Sequence, residues 1–518
     1  MTESHRPAIG LCGFEEHPWA SLNRTRAFYL RALAEEFETT LVEDVVAAAA
    51  SGRFAALVNF FGRDCWDLPQ HPDCPLLLAL HGGPVLDQEF LRSRLERLET
   101  SDALIVNCTS DLAIFDDLFV GAGPHLCHLP LPVDPARFHP LPRDQCLESV
   151  PIVEADIVIG FVGRLLPQKG LHYCLRFIAE LQRRLHPRTV SGLVIGDYWG
   201  DYPVLDYVTS DYPQGIASLI QELDLSDAIA YFPADMNDQE LSACYSLMDL
   251  LIHPTCSLDE NFGYTPVEAM ACGTPVVGAS YGGLKDTIAD GITGIAMPTW
   301  TTRTGIRMDS LAAVEKAEAW LRDETALKQL SSQSVQRARQ VYSEQVCGRA
   351  LCDGVREAIR LRSTGLAKSG SSKTGPSKPG PPKPGSSKTG PSETIRLRRE
   401  APAEPPSGLL PPIDTPWEFY RPVVEHYVSG PLPSLHDTTR VWMPAPLKPL
   451  GQGRYQVQDP AWPAVHELTA ADLELLEYCH SPQTVAHLEL AAGPCRQTLQ
   501  QWLELGLVSA SSPGKRKP

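Results

Sequence analysis

With 518 residues, 43% hydrophobic and 21% charged, the chain has enough apolar material for two or three packed cores and is too long for a lone binding module. Its 45 Lys plus Arg against 63 Asp plus Glu leave a net charge of −18, which disfavours nucleic acid or an anionic membrane as the principal partner. No apolar run approaches the roughly 18 residues of a membrane span, and MTESHRPAIG lacks the pattern of a signal peptide, so a cytoplasmic protein is expected. The 14 cysteines, scattered from Cys12 to Cys495 without a C-x-x-C pair, fit reduced and mostly buried thiols.

From Pro7 to about Cys352, short apolar runs alternate with amphipathic stretches, the signature of parallel sheets covered by helices on both faces. Examples of the predicted strands, in chain order, are 7–12, 55–61, 76–80, 103–107, 157–162, 193–195, 250–253 and 275–277. Helices are predicted over 24–37, 171–185, 215–223, 238–247 and 310–321. A pause rich in Pro and charge, 130–151, divides the series into two doubly wound halves. Domains are therefore expected at 1–150 and 151–362. The first 150 residues carry 11 Arg, no Lys and 22 acids.

At Lys368 the texture changes to five pentads opening on Lys368, Lys373, Lys378, Lys383 and Lys388, in a Gly, Ser and Pro mixture that cannot bury a core. Residues 363–400 are expected to form a flexible, disordered linker. Residues 401–518 follow as a Pro and aromatic segment with a small, mostly helical module. Thr469 with Asp472 caps one helix, Pro482–Leu490 and Cys495–Leu505 suggest two more, and Gly506 ends the last. Three short helices closing on GLVSAS suggest a winged-helix-like unit. Its stretch 401–512, with 5 basic and 12 acidic side chains, has no basic face for DNA, so a peptide or protein partner fits better.

Two segments carry the chemistry. In IVIGFVGRLLPQKG an apolar strand runs into a turn bearing Arg164 and Lys169 before a helix. Cations at a strand's carboxyl edge, facing a helix N-terminus, suit a diphosphate. In HPTCSLDENFGYTPVEAMACGTPVV, Glu260 and Glu268 stand eight residues apart across a tight FGY stretch. Thr265 to Glu268 also reads as a capping box with Pro266 opening the helix, which would need no ligand, and Glu260 alone could be an ordinary loop carboxylate. No D-x-D metal motif occurs.

Through GRLLPQKG, the E-x7-E of ENFGYTPVE, EAMACGTPVV and GGLKDTIADGITG, residues 155–300 resemble the nucleotide-binding domain of the family 4 retaining glycosyltransferases of GT-B fold. The resemblance implies two Rossmann-like α/β domains facing across a cleft and a nucleoside-diphosphate sugar as donor; with no D-x-D motif and Arg164 and Lys169 to meet the diphosphate charge, no metal and no cofactor are expected. It implies that Arg164 and Lys169 hold the donor diphosphate, Glu268 the ribose and Glu260 the donor sugar, with Phe262, Gly263, Tyr264 and Thr265 contributing sugar and phosphate contacts. SDALIVNCTSDLAIF and LPLPVDPARFHPL resemble the end of the first domain, and LALHGG places His81 where the family has a histidine near the sugar. Residues 325–362 resemble the closing helices, the last packing back on the first domain. The family's amino-terminal glycine pair is missing, because Asn23 and Arg24 stand where the first helix should open.

The expected activity is transfer of a sugar with retention to a soluble saccharide, small molecule or peptide, since a first domain without lysine suits an anionic membrane poorly. A sugar-nucleotide epimerase and a non-catalytic sensing scaffold are the alternatives. The carboxy-terminal unit is loosely similar to small winged-helix peptide-binding domains.

Overall fold

The computed structural model describes residues 6–85, 88–200, 210–364, 395–397 and 416–512. They belong to two compact units, Met1–Pro132 with Glu344–Leu410, and Val133–Ser343 with Pro411–Pro518. The first change of unit falls at Pro132, inside the proline-rich pause and ahead of residue 150.

The first unit holds β1 (Ala8–Cys12), β2 (Glu38–Leu41), β3 (Ala56–Asn59), β4 (Leu76–Ala79), β5 (Ala103–Val106) and β6 (His125–His128). All are parallel, in the order β2-β1-β3-β4-β5-β6. The interior strands β3, β4 and β5 are buried at every position, as expected of a sheet covered on both faces. The first helix opens at Ala20, earlier than residue 24. Asn23 lies inside it and brackets the preceding loop, accepting from the His17 amide at 2.9 Å and donating to its carbonyl at 2.6 Å. Gly13, at φ +68°, leaves no room for a side chain against the Phe61 carbonyl, so the loops after β1 and β3 touch. The helix Glu344–Thr364 completes this unit: Cys352 Sγ donates to Ala32 O at 3.4 Å, and Gly354 lets the helix approach Cys127.

The lysine pentads lie outside the described residues. Beyond them Ile395 is buried in the same apolar core as Phe54, Leu76 and Phe115, and Val120 N donates to Arg396 O at 2.8 Å. The pentads are thus flanked on both sides by residues of the first unit.

The second unit contains β7 (Ile157–Val162), β8 (Val190–Ile195), β9 (Ile229–Phe232), β10 (Leu250–His253), β11 (Val276–Ala279) and β12 (Gly294–Met297). These too are all parallel, in the order β12-β11-β10-β7-β8-β9. The order reverses between β7 and β10, and open α/β sheets bind ligands outside the strand ends at such a point. After β7 the helix Leu171–Leu185 buries Leu171, Cys174, Leu175, Ile178, Leu181 and Leu185, a stripe at helical spacing. A hairpin, β13 (Thr299–Thr302) with β14 (Gly305–Met308), follows the sheet.

The carboxy-terminal segment does not stand apart. Its helices include Ala470–Glu477, Val485–Ala492 and Arg496–Leu505, with the expected Thr469/Asp472 capping box and with Gly506 in the left-handed region at φ +73°. The sequence pattern missed its six strands, β15 (Arg440–Trp442), β16 (Leu447–Gly451), β17 (Arg454–Val457), β18 (Ala464–Glu467), β19 (Gln483–Thr484) and β20 (Ser509–Ser511), which form two three-stranded sheets. Trp300 of β13 joins the same buried cluster as Leu476, Leu499, Trp502 and Leu503. Arg307 of β14, 2% exposed, donates to Gly506 O at 3.0 Å, and a side chain at Gly305 would collide with Trp462. Arg440 forks onto Glu315 at 2.5 and 2.9 Å. The hairpin and the module therefore share one core.

Candidate active site

The carboxyl ends of β7 and β10 deliver the two predicted segments to the switch point. After β7, Gly163 and Arg164 lead into a short 3-10 turn, Pro167–Lys169, and Gly170 at φ +80° starts the helix Leu171–Leu185. After β10 the chain runs through Pro254 to Glu260. The Gln168 carbonyl stitches the two loops, accepting from Cys256 N at 3.2 Å and Thr255 Oγ1 at 3.3 Å.

Lys169 and Glu260 meet directly, Nζ to Oε2 at 2.6 Å, with side-chain exposures of only 13% and 7%. Burial alone would raise the Glu260 pKa, but the Lys169 ammonium and, secondarily, His253 outweigh it and hold the carboxyl below its ordinary value. His253 Nε2 lies 4.0 Å from Glu260 Oε2. Burial lowers its own pKa to about 4, so the ring is neutral at pH 7. Arg164 sits 3.4 Å from Asp259 Oδ2 and places its guanidinium 5.5 Å from the Trp199 ring centre. His253, Asp259 and Trp199 were not singled out on the sequence. Asp259 lies within the ENFGY neighbourhood, whereas Trp199 carries no local signal.

Gly263 caps the helix Tyr264–Ala271 at φ +85°, where a Cβ would lie 2.8 Å from Leu284 Cδ2 and 3.3 Å from Glu260 Oε1. Helix entry therefore comes one residue before Thr265 and uses no side-chain cap, which overturns the Thr265–Glu268 capping box. Glu268, 5% exposed, instead accepts from Tyr245 Oη at 3.0 Å. Burial, then the charge and hydrogen bond of Glu268, push the Tyr245 pKa well above its usual value, with Thr265 pulling the other way, so the phenol stays a donor. The Phe262 ring meets Tyr264 edge-on at 5.3 Å and Tyr342 at 5.9 Å. Gly283 N donates to Glu260 O at 3.0 Å, and side chains at Gly282 or Gly283 would collide with the Glu260–Phe262 backbone. The GGLKD segment is thus a wall behind Glu260.

His81 belongs to the first unit, just past β4. Its ring lies 4.4 Å from Phe60 and 5.5 Å from Tyr29. Burial lowers its pKa to about 4 against a smaller upward pull from Asn107. Within the second unit, the site combines a cationic turn, the neutral His253 imidazole and the ionised Glu260 carboxylate at the mouth of a doubly wound sheet. Among the described residues no group of three His, Cys, Asp or Glu side chains is placed to hold a metal ion, and no helix is long and apolar enough to cross a membrane.

Residues 143–337 match the family model described as glycosyl transferases group 1. The chain is similar to D-inositol 3-phosphate glycosyltransferase of Stackebrandtia nassauensis, 32% identical over 198 residues, which is 38% of this chain and 42% of that protein. It is also similar to the enzyme of the same name from Gordonia bronchialis, 27% identical over 308 residues, 55% of this chain and 64% of the relative. The chain thus spans about half the length of these curated relatives. Among solved structures, sucrose-phosphate synthase of Thermosynechococcus elongatus superposes with a TM-score of 0.53 at 17% identity, covering 69% of this chain and all of that one. Two parallel six-stranded sheets with this match give the GT-B fold, and residues 143–337 carry the similarity to the glycosyl transferases of group 1.

Proposed function

We propose that the chain is a retaining glycosyltransferase, independent of a metal ion, that takes its sugar from a nucleoside-diphosphate sugar and passes it to a small soluble acceptor. The observation that carries this reading is the buried Lys169–Glu260 pair at the switch point of the second sheet, with Arg164 on the same turn as Lys169. Breaking the bond between sugar and phosphate builds negative charge on the departing diphosphate. Arg164, Lys169 and the amides at the start of the helix Leu171–Leu185 stabilise that charge more as it grows, the role a divalent ion fills elsewhere. With the Lys169 ammonium shared between the diphosphate and its carboxylate, Glu260 stays ionised and can accept from sugar hydroxyls. Glu268, oriented by Tyr245, presents a carboxylate of the kind that grips ribose hydroxyls. The relatives' name specifies a phosphorylated cyclitol as their acceptor, which favours a polar soluble acceptor here over a lipid.

Incubation with UDP-, GDP- and ADP-sugars, with and without a chelator, tests the reading. It requires slow release of nucleoside diphosphate and of a free sugar whose first-formed anomer matches the donor's, unchanged by chelation. Conversion of the donor to an isomer would indicate an epimerase. No reaction with any donor would indicate a sensor, and loss of activity with the chelator would refute metal independence.

A further inference from the structure

The carboxy-terminal segment is bonded to the helix that follows the Lys169 turn and to the GGLKD segment behind Glu260. Asp459, 2% exposed, is fixed on its own side by the amides of Ala461 and Trp462, which donate to Oδ1 at 2.9 and 3.2 Å. Its other oxygen accepts from Tyr173 Oη at 2.6 Å, and His172 Nε2 stands 3.5 Å from Oδ1. His172 and Tyr173 occupy the first turn of the helix Leu171–Leu185, immediately after Lys169 and Gly170. Burial would raise the Asp459 pKa, but His172, Arg307 and Tyr173 together hold it below the carboxylate range, so it remains a charged acceptor.

The Tyr173 ring fills the space beside Gly170. A Cβ at Gly170 would lie 3.0 Å from Tyr173 Cδ2 and 3.0 Å from Pro254 Cγ, and Tyr173 N donates to Gly170 O at 3.0 Å. The ring therefore bears on Gly170, the residue after Lys169, and Pro254, the residue after His253, closes on the same glycine. Because Gln168 O ties the two loops together, a displacement of this ring moves both. A second attachment acts behind Glu260. Gly282 N donates to Tyr427 O at 2.9 Å, and Lys285 Nζ donates to His426 O at 2.8 Å, gripping the GGLKD wall from the module side.

We propose that Asp459 is a positioning residue for the donor site, setting through Tyr173 the turn that presents Lys169. The carboxy-terminal segment is thereby part of the nucleotide-binding apparatus. This inference rests on reading Lys169 and Glu260 as donor-binding groups. A buried carboxylate satisfied by two amides of one segment and a phenol of another fixes their separation, and misplacement by a fraction of an ångström weakens a preorganised site.

Calorimetric titration of the full-length chain with UDP, GDP and ADP, paired with thermal unfolding, tests it. At least one nucleotide should bind the wild type, and Lys169→Ala should weaken it. Asp459→Ala and Tyr173→Phe should each weaken the same nucleotide by roughly ten-fold per folded molecule, with the double variant no worse than either. Asp459→Asn, whose amide can still bond the phenol, should recover most of the loss. A purely structural Asp459 would lower the melting temperature while leaving affinity per folded molecule unchanged, and that result overturns the inference. If Asp459→Ala fails to fold, Tyr173→Phe decides, since it removes a single hydroxyl. Unchanged affinity in Asp459→Ala alongside weakened Lys169→Ala refutes only the positioning role. Absence of binding, or an unaffected Lys169→Ala, refutes the donor reading beneath it.

Discussion

Among the described residues, three histidines are held neutral by burial: His81, His253 and His466 each have a pKa lowered to about 4, the last with Arg307 adding to the effect. The unfolded chain protonates these rings near pH 6.5, so between 6.5 and 4 it binds more protons than the folded one. Their contribution to stability is complete above pH 6.5 and falls as the pH drops toward 4, by about 2 kcal/mol at most for each ring at pH 5. His71 works in the opposite sense. Burial pulls its pKa down, but the hydrogen bond and charge of Asp102 push it above the ordinary value, so its contribution is present in acid and fades as the pH rises through the folded pKa. Among these four histidines, three against one predict a loss on acidification. Urea unfolding at pH 7 and pH 5 should show a lower midpoint at pH 5, and an equal or higher one would contradict this accounting.

At the scale of elements, the Glu260 loop depends on close backbone approach. Gly283→Ala would drive a methyl group into the Asn261–Phe262 backbone and should cost roughly 1–3 kcal/mol and most of the donor turnover. Gly215, in the helix Tyr212–Glu222 with open space around it, is the control, where Ala should stabilise by about 0.5–1 kcal/mol. Full activity in Gly283→Ala would show that the wall is not needed. The edges of the two large sheets are β2, β6, β9 and β12, none of which is among the apolar runs singled out on the sequence. An edge strand has one neighbour and less cover, so ETTL or HLCH needs no continuous apolar run, whereas LLLA and IVIGFV in the interior do. The capping-box reading failed for a related reason. Gly263 at positive φ began the helix before Thr265, and tertiary contact with Tyr245 then gave Glu268 another partner.

Across the whole molecule, composition announced two regimes, and the structure redistributes them. The proline-rich end was expected to hang from a linker, yet residues 416–512 share a core with the β13–β14 hairpin and bond to Tyr173, Gly282 and Lys285. Lys169 and Glu260 were legible because each sits in a local motif at a strand's end. Asp459 was not, because its function depends on Tyr173 and Gly170, far away along the chain and brought near only by folding. The central claim is that Glu260 acts on the donor sugar while the cationic turn holds the diphosphate. The direct measurement is nucleoside diphosphate release from a UDP-, GDP- and ADP-sugar panel by wild type and Glu260→Gln, with nucleotide affinity determined on the same samples. The account predicts release by the wild type, its loss by at least a hundred-fold (~2.7 kcal/mol in the barrier) in Glu260→Gln, and nucleotide binding largely retained in both. Equal release by the two proteins would contradict it.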